Sequence, residues 1–137
     1  MPEAANSIMA YTPVKGHTLL IPSGPNDHLF VILTGISTTL THLLVNLTSI
    51  HANVPHDPTC GLMVGDHPFI RHPSYIAYEF ARIEMASDLS NRVDAGKLTL
   101  SDPVSDALLN RIRGGIAVSQ KCPKKFQTYF ARNALNT

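Results

Sequence analysis

Three short apolar runs constrain this chain more than any other feature: Leu19-Leu20-Ile21, Leu29-Phe30-Val31-Ile32-Leu33 and Leu43-Leu44-Val45-Asn46-Leu47. Each has the length of a strand, and turn formers such as Pro22-Ser23-Gly24-Pro25-Asn26-Asp27 separate them. Closely spaced strands with tight turns predict a small barrel, so a mainly β region is expected over about residues 15–86. Ser74-Tyr75-Ile76-Ala77-Tyr78-Glu79-Phe80 fits either period, but its aromatic and β-branched content favours a further strand. Between Ile50 and Pro73 six prolines and glycines break up any long element, leaving loop and one short strand within Cys60-Gly61-Leu62-Met63-Val64.

Helical patterning comes later. Ser101-Asp102-Pro103 reads as a cap with a first-turn proline, Val104, Ala107, Leu108 and Ile112 form one apolar stripe, and Gly114-Gly115 reads as the stop. A helix from Asp102 to Arg113 is therefore expected, with a shorter helical turn near Asp88 to Val93. The fold class is thus mainly β with C-terminal helices. At 137 residues the chain fits a single domain over 1–137, long enough to bury a core without staples. Within it the helical part is expected over about 87–118 and a solvated basic tail over 119–137.

A net charge of +1 rules out a grossly basic coat, so any nucleic-acid contact has to be local. The charge is uneven. Up to residue 81 there are two basic groups, Lys15 and Arg71, against five acidic ones, whereas from Arg113 onward no carboxylate side chain appears. Lys121, Lys124 and Lys125 lie in that second stretch, where a phosphate backbone can use them. Two cysteines, Cys60 and Cys122, have no CxxC spacing and fit a reduced protein. Met1-Pro2-Glu3-Ala4 has no basic n-region, and no apolar run approaches the roughly 18 residues of a membrane span. A cytoplasmic location without membrane contact is expected.

Four groups of residues bear on chemistry. Thr48 and Ser49 end the third apolar run just before His51, so a strand delivers two hydroxyls beside an imidazole, although such hydroxyls often serve neighbouring backbone groups. All seven histidines lie between His17 and His72, and a pair of them can move the protons of RNA cleavage without metal, though loop histidines are more often structural. Arg71, nearly alone among charges in its half, suits bidentate grip of a phosphate unless Asp66 or Glu79 pairs with it. His51, His56, Asp57 and Cys60, with Asp66, His67 and His72, are suitable zinc-ligand types, but their spacings match no standard knuckle. No metal or other cofactor is expected.

In the order of these motifs the chain resembles the PemK/MazF-like toxin endoribonucleases from Lys15 to about Gly115. Lys15-Gly16-His17 is similar to the family's opening Arg-Gly-Asp, and Leu43 to Ser49 to the strand that ends in its catalytic hydroxyl. Ser74-Tyr75-Ile76 followed by Glu79 and Arg82-Ile83, then Gly96-Lys97-Leu98, resembles the family's next strand and its Gly-Lys-Leu-like segment. Asp27-His28 stands where the family has an arginine before proline. The resemblance implies an SH3-like barrel, metal-independent cleavage of single-stranded RNA by 2′-hydroxyl attack, a cognate antitoxin partner and a homodimer. It places the catalytic hydroxyl on Thr48, or on Ser49 if the register slips by one; with the family arginine replaced, His28 or another histidine is expected in acid or base work and Arg71 on the transition-state charge, with Lys15 and His17, and from the charge of the tail Lys121, Lys124 and Lys125, as RNA contacts. Tyr75, Tyr78 and Phe80 are the residues expected to supply an apolar dimer patch. The alternative is a non-catalytic SH3-like module that binds protein or nucleic acid.

Overall fold

The computed structural model describes residues 10–136, so the segment Met1-Pro2-Glu3-Ala4 lies outside the described residues. Each of the three apolar runs is a strand: β1 Thr18–Ser23, β2 Asn26–Ile32 and β3 Thr41–Ser49. A two-residue loop, Gly24-Pro25, joins β1 to β2, and Gly24 sits at φ +64, which the first position of the primed hairpin turns requires. β4 (Gly61–Leu62) and β5 (Ser74–Met85) follow, then helix α1 (Ala86–Asp94), β6 (Thr99–Ser101) and helices α2 (Asp106–Gly115) and α3 (Lys124–Asn133). The strands run β4-β5-β3-β2-β1-β6 in a mainly antiparallel sheet curled into a half-barrel with three helices. β5 bends it: Leu44 faces Arg82 but Asn46 faces Ala77, so Tyr78 to Ala81 bulge out of register.

Strand alternation sorts the core into two clusters. Leu29, Val31, Leu43, Val45 and Leu47 point to one face and meet Leu108 and Ile112 of α2 and Phe126 of α3. Phe30, Ile32 and Leu44 point to the other, with Leu19 and Ile21, where Leu89 of α1 closes over them. Burying Leu89 fully is worth about 2 kcal/mol, enough to dock a nine-residue helix with no side-chain cap.

Several expectations need correction. The basic tail is not a loose segment, because Lys124–Asn133 forms α3, anchored by buried Phe126 and by a hydrogen bond between the Tyr129 and Thr41 hydroxyls (2.8 Å). α2 begins four residues later than the Ser101-Asp102-Pro103 reading: Ser105 is the cap, its Oγ accepting the Leu108 amide at 3.1 Å. Ser101 belongs instead to β6, a strand too short and too mixed to read from pattern. Gly114 and Gly115 are the last two residues of α2, so the helix ends where these glycines predict it, although neither has the positive φ of a glycine cap. Tyr75 and Tyr78 cannot form a dimer patch, since both are buried and Tyr78 donates its hydroxyl to the Ile112 carbonyl at 2.7 Å; Phe80, on the bulge, is exposed. No helix among the described residues is long and apolar enough to cross a membrane.

Candidate active site

On the second sheet face the strands turn from apolar to polar as they reach one end. Along β2 the face that carries Ile32 and Phe30 continues as His28, and along β3 the face of Leu44 continues as Asn46 and Thr48. Beyond the Leu29–Leu47 pair, the next two positions are therefore His28 and Thr48. β5 enters beside them, Ser74 opposite Ser49, and the Ile50 amide donates to the Pro73 carbonyl at 3.0 Å. This ties the loop bearing Arg71 and His72 to the end of β3.

A cleft of about 650 Å³ opens there. It is lined by Thr48, Ser49, His28 and Arg71, the four residues singled out for catalysis, and by no helix residue. His51, His72, Asp27 and Phe69 line it too. Of these, His51 is the imidazole expected beside the two hydroxyls and His72 belongs to the histidine-rich stretch, whereas Asp27 and Phe69 were not singled out for the site by pattern. Asn46, the lone polar residue of an apolar run, is 4% exposed and accepts the Thr48 hydroxyl at 3.1 Å. That bond uses the Thr48 proton, so Thr48 Oγ1 faces a ligand as an acceptor. Ser49 has no side-chain hydrogen bond among the described residues and is the hydroxyl free to donate.

Arg71 is exposed and makes no ion pair among the described residues. Asp66, its anticipated partner, faces Arg111 of α2 at 3.5 Å instead, and Arg111 also donates to the Gly61 carbonyl at 2.7 Å. Among the described residues His28 Nδ1 is buried without a hydrogen-bond partner, which makes Nε2 the nitrogen available for a ligand of the cleft that His28 lines.

The loops on either side of β4 are held from below. Asp57 is 1% exposed and accepts Ser119 Oγ, Thr59 Oγ1 (both 2.5 Å) and the Thr59 amide (3.0 Å). Burial opposes its charge, but these bonds and the nearby Lys121 ammonium outweigh it and hold the carboxyl below the usual aspartate range. A folded-state pKa below the unfolded one means that this network stabilises fully at neutral pH and is lost as pH falls from about 4 through the folded value. Urea midpoints at pH 7 and pH 3 should therefore differ less for Asp57→Asn than for the wild type, because the variant has no carboxylate to protonate.

These bonds also bear on the zinc-type residues. Asp57 is committed to Ser119 and Thr59, Cys60 is buried in the core, and His67 bonds to backbone at both ring nitrogens. Among the described residues no group of three or more His, Cys, Asp or Glu is placed to hold a metal ion. The anticipated RNA contacts stand apart from the cleft lining. His17 stacks on Tyr11, whose hydroxyl lies 2.8 Å from His17 Nδ1; burial lowers the His17 pKa and pushes that of Tyr11 up to about 12. Lys15 borders a separate hollow with Asn110 and Arg113, while Lys121, Lys124 and Lys125 are exposed at and before the start of α3.

No family model matches the chain, and no curated protein does. A solved structure described as an endoribonuclease in complex with its cognate antitoxin from Mycobacterial species is similar over 82% of this chain and 96% of its own, at 18% identity and a TM-score of 0.48.

Proposed function

We propose that the chain is a metal-independent endoribonuclease acting on single-stranded RNA, the toxin of a toxin–antitoxin pair. The observation that carries the reading is an arginine without an ion-pair partner among the described residues, in the same cleft as His28, His51 and His72 and the hydroxyls of Thr48 and Ser49. In RNA the 2′-hydroxyl is the internal nucleophile. One imidazole, for which His28 Nε2 is placed, takes its proton; the 2′-oxygen attacks phosphorus in line; and a second imidazole, His51 or His72, protonates the departing 5′-oxygen. The products are a 2′,3′-cyclic phosphate and a 5′-hydroxyl. Arg71 meets the charge that builds on the phosphoryl oxygens, with Ser49 as a hydroxyl donor and Thr48 as an acceptor. A cognate antitoxin and a homodimer complete the proposal, both resting on the resemblance in motif order.

One feature favours a second reading. Asp27 puts a carboxylate into the cleft, where it repels phosphate, and a module that binds without cutting tolerates this better than an active centre does. The deciding assay is incubation of purified protein with mixed-sequence single-stranded RNA in excess chelator, followed by analysis of the product ends. Cleavage leaving cyclic phosphate is expected. Intact RNA across pH 5 to 9 would leave the binding module standing.

A further inference from the structure

The Pro68 to His72 wall of the cleft carries a large apolar ring that the fold does not use. Phe69 is 41% exposed, whereas its neighbour Ile70 is 4% exposed and packs into the core. The exposure does not come from a loose loop. The Phe69 amide donates to His67 Nδ1 at 3.0 Å, His67 Nε2 donates to the Asp102 carbonyl at 2.6 Å, and the Ile70 amide donates to the His67 carbonyl at 3.0 Å. His67 itself is 2% exposed, and the same Asp102 carbonyl also accepts the Thr18 hydroxyl at 2.6 Å. The backbone under Phe69 is thus pinned to β1 and to the segment after β6, while the ring is left to the cleft.

Phe69 and Arg71 are two residues apart and line the same cavity. A flat apolar face beside a guanidinium that has no ion-pair partner among the described residues suits a ligand that is itself part aromatic and part phosphate. We propose that Phe69 is the platform on which one unpaired base of the substrate stacks while its phosphate lies at Arg71. This rests on the ribonuclease reading above and adds to it the residue that selects unpaired nucleotides. In a duplex both faces of every base are covered by neighbours, so a base reaches Phe69 only from a strand free to splay it out. Stacking is indifferent to base identity, which makes Phe69 a reader of strandedness rather than of sequence.

The chain contains no tryptophan, so Phe69→Trp introduces a single fluorescent reporter at this position. The probes are 2′-O-methyl oligoribonucleotides, which lack the nucleophile and stay intact: a single strand, the same strand annealed to its complement, and one with abasic positions. The single strand should quench the tryptophan saturably, and the duplex and abasic strands should not. In parallel, Phe69→Ala should bind the single strand about tenfold more weakly by anisotropy, with Phe69→Tyr restoring it. Equal quenching by the abasic strand, or unchanged affinity in Phe69→Ala, would overturn the platform even if the wild type cuts RNA. Should Phe69→Ala fail to fold, the tryptophan readout decides alone. A wild type that binds none of the three strands sinks this inference and the ribonuclease reading together, which separates that failure from loss of the platform by itself.

Discussion

Replacing Arg71 by alanine should lower RNA cleavage about a hundredfold or more and leave thermal stability unchanged. Stability is spared because the exposed side chain makes no ion pair, and no side-chain hydrogen bond, among the described residues. Activity is lost because a preorganised donor aimed at developing charge is worth about 3 kcal/mol in the transition state, and each 1.4 kcal/mol is roughly tenfold in rate. Arg71→Lys should recover part of the loss, since it keeps the charge but not the bidentate fork. Single-turnover cleavage of one RNA by the three proteins, with melting curves alongside, makes the comparison. A binding effect without any effect on the chemical step would demote Arg71 to a substrate anchor. Ser49→Ala should lower the rate as well. Thr48→Val is less clean, because it also strips a partner from the buried Asn46 amide oxygen.

The largest effect on stability is expected at Gly115. A Cβ there would stand 2.7 Å from Tyr78 Cζ and closer still to its hydroxyl. Neither can move away: Tyr78 is fully buried and its hydroxyl is bonded to the Ile112 carbonyl one turn back along the same helix. Gly115→Ala should therefore cost about 3 kcal/mol, the upper range for overpacking, and lower the melting temperature by about 10 °C. Gly114→Ala is the matched control. Its Cβ meets nothing within 4 Å, so it should be neutral or stabilising by up to about 1 kcal/mol through helix propensity. Adding Tyr78→Phe to Gly115→Ala removes the nearest atom and should recover part of the loss. Equal stability of the two alanine variants would show that the helix and β5 do not approach as closely as described.

What could be read from the chain directly were the features decided within a few residues. The apolar runs became β1, β2 and β3 because alternation and length are local properties, and of the stripe Val104, Ala107, Leu108 and Ile112 all but the exposed Ala107 became the buried side of α2 and its approach for the same reason. The grouping of Thr48, Ser49, His28 and Arg71 in one cleft was anticipated from motif order, and strand register brings the first three together. Other outcomes depended on which elements meet. Asp66 turns to the sequence-distant Arg111 rather than to nearby Arg71 because Arg111 of α2 reaches the β4 region, a choice that spacing cannot make. Gly115 looks like a helix stop in isolation, and only the arrival of the Tyr78 ring from β5 makes its missing side chain necessary. Tyr75 and Tyr78 read as surface aromatics until the sheet curls over them, and the basic tail reads as solvated until Phe126 finds the core. Patterning sets which residues an element turns inward, whereas pairing of charges, close approach of backbones and exposure of rings are properties of the packed whole.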